Sequence, residues 1–124
     1  QKFSDFNKIK SVGKNSKDIN ELMLLARQLE DAGSKFIVLE CVSLTAAKKI
    51  TKSISIPTIG IGASKYCDGQ VLVIDDVLNF NSKSKKPKFV KNFTNIENNI
   101  VSAVKMFVKE VKSKKFPSRN KSYK

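Results

Sequence analysis

The chain has 124 residues, with 24 Lys and Arg against 11 acidic residues, a formal net charge of +13 and no His. Its two cysteines, Cys41 and Cys67, lack the spacing of a zinc site, so His-based catalysis and zinc chemistry are excluded within this chain. No stretch approaches the roughly 18–20 apolar residues that span a bilayer, and no secretory leader is apparent, so we expect a cytoplasmic protein with reduced thiols and no membrane partner. The positive charge is typical of a nucleic-acid partner, but the lysines are spread over the whole chain, as drift in base composition also produces.

The first 33 residues predict a loop followed by a helix. Residues 1–15 show no clear period and predict a loop with one short strand at most. From Ser16 the apolar residues recur at helical spacing, with Asn15 or Ser16 as the cap, and Gly33 supplies the left-handed residue that ends the helix. The pattern therefore predicts a helix over 17–32.

The apolar run that follows ends in a carboxylate. Residues 36–41 predict a strand that is buried on both faces, as in parallel sheets covered by helices. Glu40 lies at its carboxyl end, where α/β barrels and open α/β sheets place their chemistry. Glu40 is therefore the first candidate site residue.

Residues 44–54 predict a second amphipathic helix, and residues 57–62 predict a second buried strand. Gly60 and Gly62 at its end indicate either tight turn geometry or the close approach of a ligand or neighbouring loop. Position 65 is Lys, so the dinucleotide-binding pattern GxGxxG is absent here. Alternating helices and strands with short connections are typical of right-handed parallel α/β winding.

A third strand is predicted near 70–75, where an apolar run ends in two carboxylates. Asp75 and Asp76 are candidate metal ligands, but Asp at a strand exit is also an ordinary turn former or helix cap. We favour the turn or cap interpretation for both residues.

Residues 79–93 are the most basic segment, and Phe80, Phe89 and Phe93 are interleaved with its lysines. This pattern is typical of single-strand nucleic-acid binders, although most such runs are solvated loops whose aromatic side chains dock on the body. Thr94 and Glu97 then match a capping box.

The capping box and the apolar stripe behind it predict a helix over 95–113. The tail, residues 114–124, is polar and basic, which predicts a mobile terminus or one that a neighbouring subunit orders.

These predicted elements do not make a complete fold. Three strands that are apolar on both faces leave their edges and one face uncovered, so residues 1–124 predict a single incomplete domain, part of a larger fold. The first residue is Gln rather than Met, which also indicates a processed start or a piece of a longer polypeptide.

Four blocks of sequence, in this order, carry a family resemblance over about residues 15–124. Residues 29–42, 54–63, 68–76 and 87–91 together resemble the carboxyl-terminal half of the ketopantoate hydroxymethyltransferase (3-methyl-2-oxobutanoate hydroxymethyltransferase) family. The resemblance implies the last part of a (β/α)8 TIM barrel of the phosphoenolpyruvate-mutase type, which needs about 250 residues when complete.

The resemblance also implies an activity. The family transfers a hydroxymethyl group from 5,10-methylenetetrahydrofolate to 3-methyl-2-oxobutanoate, giving 2-dehydropantoate for pantothenate and coenzyme A biosynthesis. It uses Mg²⁺ and assembles as a homo-decamer. The family's metal ligands and substrate-binding residues belong to the amino-terminal half, so no metal ligand is assigned to this chain, and the chain alone is expected to be inactive.

The glutamate of the family's Val-Leu-Glu-Cys block corresponds to Glu40, which therefore resembles the proton acceptor. A carboxylate removes a proton from carbon well when apolar surroundings raise its pKa, and residues 37–39 with Cys41 and Val42 are expected to provide them. Cys41 itself is expected to be a packing residue.

Three positions or segments depart from the family pattern: Ser64, Lys83 to Lys86, and the segment from Phe6 to Lys14. The loosened segments leave an inactive gene remnant as one alternative to the transferase, and the net charge with the Lys/Phe segment leaves a small basic nucleic-acid-binding module as another.

Overall fold

The computed structural model describes residues 10–80, 86–94 and 99–123. Over these ranges the chain forms a three-stranded parallel sheet in the order β1-β2-β3, flanked by helices. The strands are β1 (Ile37–Glu40), β2 (Thr58–Ile61) and β3 (Gly69–Gln70). The α-helices are α1 (Ser16–Asp31), α2 (Leu44–Ser53), α3 (Ile74–Leu78) and α4 (Ile100–Lys112), and a 3-10 turn spans Arg119–Lys121.

The helix-strand-helix-strand portion agrees closely with the sequence pattern. Asn15 caps α1 by accepting a hydrogen bond from the Asp18 amide at 2.9 Å, and Gly33 adopts a φ of +92° just after the helix. Both predicted strands here pair in parallel, with Ile37 opposite Thr58 and Glu40 opposite Ile61. The predicted parallel α/β winding is therefore confirmed for this part of the chain.

Residues 1–9 of the predicted amino-terminal loop lie outside the described residues. Within the described part, Val12 forms an isolated parallel bridge to Val42 on the far side of β1 from β2. In the described residues, no helix is both long and apolar enough to cross a membrane.

Two separate clusters of buried side chains hold the described residues together. The first core lies between α1, α2 and the sheet and consists of Ile19, Ala26, Ile37, Leu39, Val42, Ala46, Ala47, Ile50, Ala63 and Cys67. The second core gathers α3, α4 and the segments around them and consists of Cys41, Leu72, Val77, Leu78, Phe89, Val90, Phe93, Ala103 and Phe116.

The predicted third strand near 70–75 is wrong beyond its first residue. β3 ends at Gln70, and α3 begins at Ile74, with Asp75 and Asp76 in its first turn. Carboxylates are favourable there because they face the positive end of the helix dipole. A short apolar run does not distinguish a strand from a short helix by its period, which explains the error.

The predicted capping box is also wrong. The last long helix begins at Ile100, and Asn99 caps it by accepting a hydrogen bond from the Ser102 amide at 2.8 Å. Thr94 instead contacts α3, since its hydroxyl donates to the Leu78 carbonyl at 3.2 Å. Glu97 and the rest of 95–98 lie outside the described residues.

The carboxyl-terminal tail packs on the body, contrary to the prediction of a mobile or partner-ordered terminus. Phe116 is 3% exposed, and the Ser122 side chain is buried as well. The Tyr123 carbonyl accepts a hydrogen bond from the Leu44 amide at 2.9 Å. Composition is misleading here, because two aromatic residues anchor an otherwise polar and basic segment.

In the basic segment 79–93, two of the three phenylalanines dock on the body, as the loop interpretation predicts. Phe89 and Phe93 are buried in the second core, whereas Phe80 is exposed. Residues 81–85 of this segment, with most of its lysine run, lie outside the described residues.

Candidate active site at the carboxyl ends of the strands

Glu40 is the last residue of β1 and pairs with Ile61, the last residue of β2. Because the strands are parallel, both residues lie at the carboxyl edge of the sheet. The position predicted for Glu40 from the sequence is therefore confirmed.

The two faces of β1 differ in burial. Ile37 and Leu39 belong to the first core beneath the helices, whereas Val38 is 50% exposed and Glu40 is exposed beside it. The expectation of a strand buried on both faces is wrong for the described residues, because the helices cover one face only. The sheet register places Ile59 and Ile61 on the same open face as Val38 and Glu40.

This alternation changes the surroundings of Glu40. Its sequence neighbours Leu39 and Cys41 are buried in the first and second core respectively, whereas Glu40 itself is exposed. Val38 and Ile61 are its neighbours across the open face, and Val71, just after β3, adds a further exposed apolar side chain. Glu40 thus ends an apolar sheet face that is exposed at Val38, while Ile61 is half-buried against the second core.

Cys41 holds the backbone directly after the carboxylate. Its φ is +52°, a left-handed conformation that is unusual for a residue with a β-carbon. Its amide donates to the Ile61 carbonyl at 2.9 Å, and its carbonyl accepts from the Val12 amide at 3.1 Å. The turn that follows Glu40 is therefore tied to the chain on both sides of β1.

The Cys41 thiol is buried, as expected for a packing residue. Burial raises the pKa of this thiol, so it stays protonated at neutral pH, and Tyr123 packs with Cys41 in the second core. Burial likewise raises the pKa of the Tyr123 hydroxyl. Sequence reasoning missed Tyr123, although an aromatic residue in a polar tail is a detectable signal of docking.

Side chains of the protein approach both glycines near the end of β2. Gly62 has a φ of +62°, and a β-carbon there would lie 2.5 Å from Cδ1 of Phe89. The Phe89 ring packs in turn on Tyr123, with ring centroids 6.4 Å apart. At Gly60 a β-carbon would meet the Gln70 side chain at 2.8 Å.

The described residues contain no group of three or more His, Cys, Asp or Glu side chains that could hold a metal ion. Asp75 and Asp76 lie in the first turn of α3, but Val73 is the cap residue and no side chain caps the helix, so the cap interpretation is wrong for both. Burial raises the pKa of Asp76, and the positive charge of Lys86 opposes this shift.

The fold and the strand-end carboxylate together define a parallel α/β protein with a candidate acid–base residue at the carboxyl edge of its sheet. Comparison with known families agrees with the resemblance of the four sequence blocks. The family model described as ketopantoate hydroxymethyltransferase matches residues 1–119, and the chain belongs to this family.

Curated relatives in several bacteria are named 3-methyl-2-oxobutanoate hydroxymethyltransferase. The protein of Clostridium botulinum strain 657 is 49% identical over 124 residues, which cover 100% of this chain and 45% of the relative. The protein of Pelagibacter ubique is 50% identical over 110 residues, covering 86% of this chain and 42% of the relative. The protein of Wigglesworthia glossinidia brevipalpis is 43% identical over 111 residues, covering 90% and 42% respectively. The chain therefore spans less than half the length of these relatives.

Proposed function

We propose that this chain is the carboxyl-terminal part of a hydroxymethyltransferase that converts 3-methyl-2-oxobutanoate to 2-dehydropantoate. Membership of the family and the names of the relatives support the reaction class. The observation that carries the proposal is the position of Glu40, an acidic residue at the carboxyl edge of a parallel sheet on a face that the chain leaves open.

The open face supports a barrel. In a closed (β/α)8 barrel the strand side chains alternate between the surrounding helices and the barrel interior. Ile37 and Leu39 occupy the helix side, so Val38, Glu40 and Ile61 would line the interior once further strands close the sheet. Closure would also remove the exposed apolar face and the open edges of the three strands.

In this arrangement Glu40 acts as the proton acceptor. The carboxylate removes the proton from C3 of the keto acid, and the electron pair left behind makes C3 the nucleophile that bonds to the one-carbon unit of 5,10-methylenetetrahydrofolate. Water supplies the hydroxyl oxygen as both carbon–nitrogen bonds of that unit break, and tetrahydrofolate leaves with the C3 proton and one proton of water on its two nitrogens. Enclosure by Val38 and Ile61 in the closed barrel would strengthen the carboxylate as a base, since burial in apolar surroundings raises a carboxyl pKa.

Other parts of the active site belong outside this chain. The described residues contain no group of three or more His, Cys, Asp or Glu side chains, and the Mg²⁺ that the family resemblance implies would be held by carboxylates of the remaining part of the enzyme. The same holds for most contacts to the keto acid and the folate, and for the decameric assembly.

The test is a chimera in which this chain replaces the matching segment of the Clostridium botulinum relative. We expect the chimera to exchange the C3 proton of 3-methyl-2-oxobutanoate for deuterium, measured by proton NMR. The Glu40→Gln variant should lose about 10²–10⁴-fold in exchange rate, the usual contribution of a general base. Glu21→Gln, the same change on an exposed position of α1, serves as the matched control and should leave the rate unchanged.

Circular dichroism and gel filtration would establish that each chimera is folded. A folded chimera in which Glu40→Gln exchanges as fast as the parent would show that Glu40 is not the base. A folded chimera without any exchange would contradict the transferase proposal and favour an inactive gene remnant.

A further inference from the structure

The turn that follows Glu40 is held by a further segment of the chain, the tail. We propose that Tyr123 in the tail is a positioning residue, which holds the turn after β1 and thereby sets where the Glu40 carboxylate meets the keto acid. The effect of Tyr123 on the reaction rests on the proposed function, whereas its contacts with the turn do not.

The backbone of Tyr123 contacts the start of α2. Its carbonyl accepts a hydrogen bond from the Leu44 amide at 2.9 Å. Leu44 is the first residue of α2, and the first amides of a helix have no acceptor within the helix. The Ser43 hydroxyl accepts from the Ala46 amide at 3.2 Å, so the Leu44 amide depends on the tail for its partner. The tail thus completes the cap of the helix that begins shortly after Glu40.

The side chain of Tyr123 contacts the turn itself. Tyr123 packs with Cys41 in the second core, and Cys41 directly follows Glu40 in the chain. The φ of Cys41 is +52°, a strained conformation that persists only where surrounding contacts hold it. Tyr123 supplies one of these contacts, so it helps to fix the direction in which β1 ends.

The contacts of Tyr123 also reach the end of β2. Its ring packs edge-to-face on the Phe89 ring, with centroids 6.4 Å apart. The Phe89 ring in turn lies against Gly62, where an added β-carbon would be 2.5 Å from Cδ1 of Phe89. Gly62 directly follows β2, just as Cys41 directly follows β1. One side chain of the tail therefore holds the turns after both strands, at the edge of the sheet where Glu40 lies.

Other aromatic residues of the second core are placed differently. Phe107 packs on Phe93 and Phe116, with ring centroids 5.6 and 5.7 Å apart. Loss of the Phe107 ring should lower stability and leave Glu40 in place. Loss of Tyr123 should also move the turn, and a displacement of a catalytic group by about 1 Å can cost about 10²-fold in rate.

The test uses the chimera in which this chain replaces the matching segment of the Clostridium botulinum relative. Leu44→Pro removes the amide that donates to the Tyr123 carbonyl. Proline suits this position, because it is the first of α2 and the preceding residue, Ser43, has a ψ of 148°. The matched control is Leu44→Ala, which also removes the leucine side chain but keeps the amide.

Proton NMR measures the exchange of the C3 proton of 3-methyl-2-oxobutanoate in each chimera. We expect Leu44→Pro to lower the rate at saturating keto acid about tenfold or more relative to Leu44→Ala, because the base is misplaced. The KM should stay within about twofold, since the rest of the site still binds the substrate. Tyr123→Ala should lower the rate similarly, whereas Tyr123→Phe keeps the ring and should stay near the parent. Phe107→Ala, measured where it is folded, should keep the parent rate.

Hydrogen–deuterium exchange of the same chimeras, followed by mass spectrometry, gives a readout that does not depend on activity. The amides of residues 41–43 should exchange faster in Leu44→Pro than in Leu44→Ala, and faster in Tyr123→Ala than in the parent. A folded parent that does not exchange the C3 proton would contradict the transferase proposal, and the protection of residues 41–43 would then decide whether Tyr123 holds the turn.

Equal protection of residues 41–43 in Leu44→Pro and Leu44→Ala would overturn the proposal. In an active chimera, equal rates in these two variants would overturn it as well. An equal loss of rate in Phe107→Ala would do the same, since it would show a general effect of core stability. If Leu44→Pro does not fold by circular dichroism, the comparison of Tyr123→Ala with Tyr123→Phe decides by the same two measurements.

Discussion

The two cores of this chain are built in different ways. The first core is made by α1, α2, β1 and β2, whose apolar residues recur at regular spacing and face one another across regular elements. The second core is made largely by aromatic side chains from a loop, a helix and the tail, with Phe93, Phe107 and Phe116 in mutual edge-to-face contact. A core made by regular helices and strands can be predicted from the spacing of apolar residues in the sequence. A core made by aromatic residues of irregular segments cannot, because its contacts join residues far apart in the chain.

The largest effect on stability is expected at Phe93, which is 0% exposed at the centre of the second core. Phe93→Ala should lower the free energy of unfolding by about 3–5 kcal/mol, because it removes a large buried ring and leaves a cavity. Urea denaturation followed by circular dichroism measures the loss. The control is Phe80→Ala, since Phe80 is 64% exposed and should change stability by less than about 0.5 kcal/mol.

Limited proteolysis of Phe93→Ala compares the protection of the two cores. Cleavage in the tail should become faster in Phe93→Ala, while α1 and α2 stay protected if the first core is intact. Equal loss of protection in both cores would mean that the two cores unfold as one unit and do not differ in stability.

The sequence predicts the elements of the first core better than those of the second. The helices α1 and α2 and the strands β1 and β2 are predicted to within one residue at each end, because their apolar periods are long or their glycine boundaries are clear. The short helix α3 and the docked tail are not predicted. Five residues carry too little period to identify a helix, and the contact of Tyr123 with Leu44 joins segments far apart in the chain.

The candidate site shows the same limit. The sequence places Glu40 at the end of a strand, and the resemblance assigns its role. The sequence does not reveal that β1 is open on the Glu40 side, because an apolar run looks the same whether helices or missing strands cover its second face. The contacts of Cys41 with Tyr123 and of Gly62 with Phe89 also depend on tertiary structure alone.

A somewhat smaller effect is expected where the end of β2 meets the second core. Gly62→Ala should destabilise the chain by about 2 kcal/mol or more, because it adds a collision with the Phe89 ring to the backbone cost of a positive φ. Gly33→Ala is the matched control, since Gly33 has a φ of +92° and no atom within 4 Å of an added β-carbon. It should lose only the backbone part, about 1 kcal/mol, in the same urea experiment.

The difference between these two alanine variants measures the contact of Phe89 with Gly62. Equal losses would indicate that the Phe89 ring moves aside without cost, and that the end of β2 is not held by the second core.

The two buried thiols offer a smaller, pH-dependent comparison, since Cys67 lies in the first core and Cys41 in the second. Burial raises the pKa of both thiols, so the folded state keeps them protonated at pH values where the unfolded thiols, with a pKa of about 8.5, ionise. Their contribution is complete below that pKa and is lost as the pH rises toward the folded pKa. The urea midpoint of the parent should therefore fall from pH 8 to pH 10.

Cys41→Ala and Cys67→Ala should each make this alkaline decrease shallower, whatever their effect on stability at neutral pH. Unchanged slopes in both variants would show that the alkaline loss comes from other groups. A change in only one of them would show which core responds to ionisation.

The smallest effect is expected at Glu30, on the periphery of the first core. Its carboxylate accepts hydrogen bonds from the Ser55 amide at 2.7 Å and the Ile56 amide at 3.2 Å, and the hydrogen bonds from Ser55 hold its pKa below the ordinary value. Stability from Glu30 should be present at neutral pH and lost as the pH falls through this lowered pKa.

Glu30→Gln should therefore show a slightly shallower acid decrease in the urea midpoint than the parent, whereas Glu21→Gln should not. An identical acid decrease in all three proteins would mean that the solvent-exposed carboxylate of Glu30 contributes nothing measurable.

The hydrogen bond between the Tyr123 carbonyl and the Leu44 amide has a practical consequence. An affinity tag or fluorescent label fused after Lys124 would emerge one residue beyond this bond, beside the start of α2 and the strand end that carries Glu40. A tag fused there therefore needs a linker that leaves the Tyr123–Leu44 hydrogen bond intact.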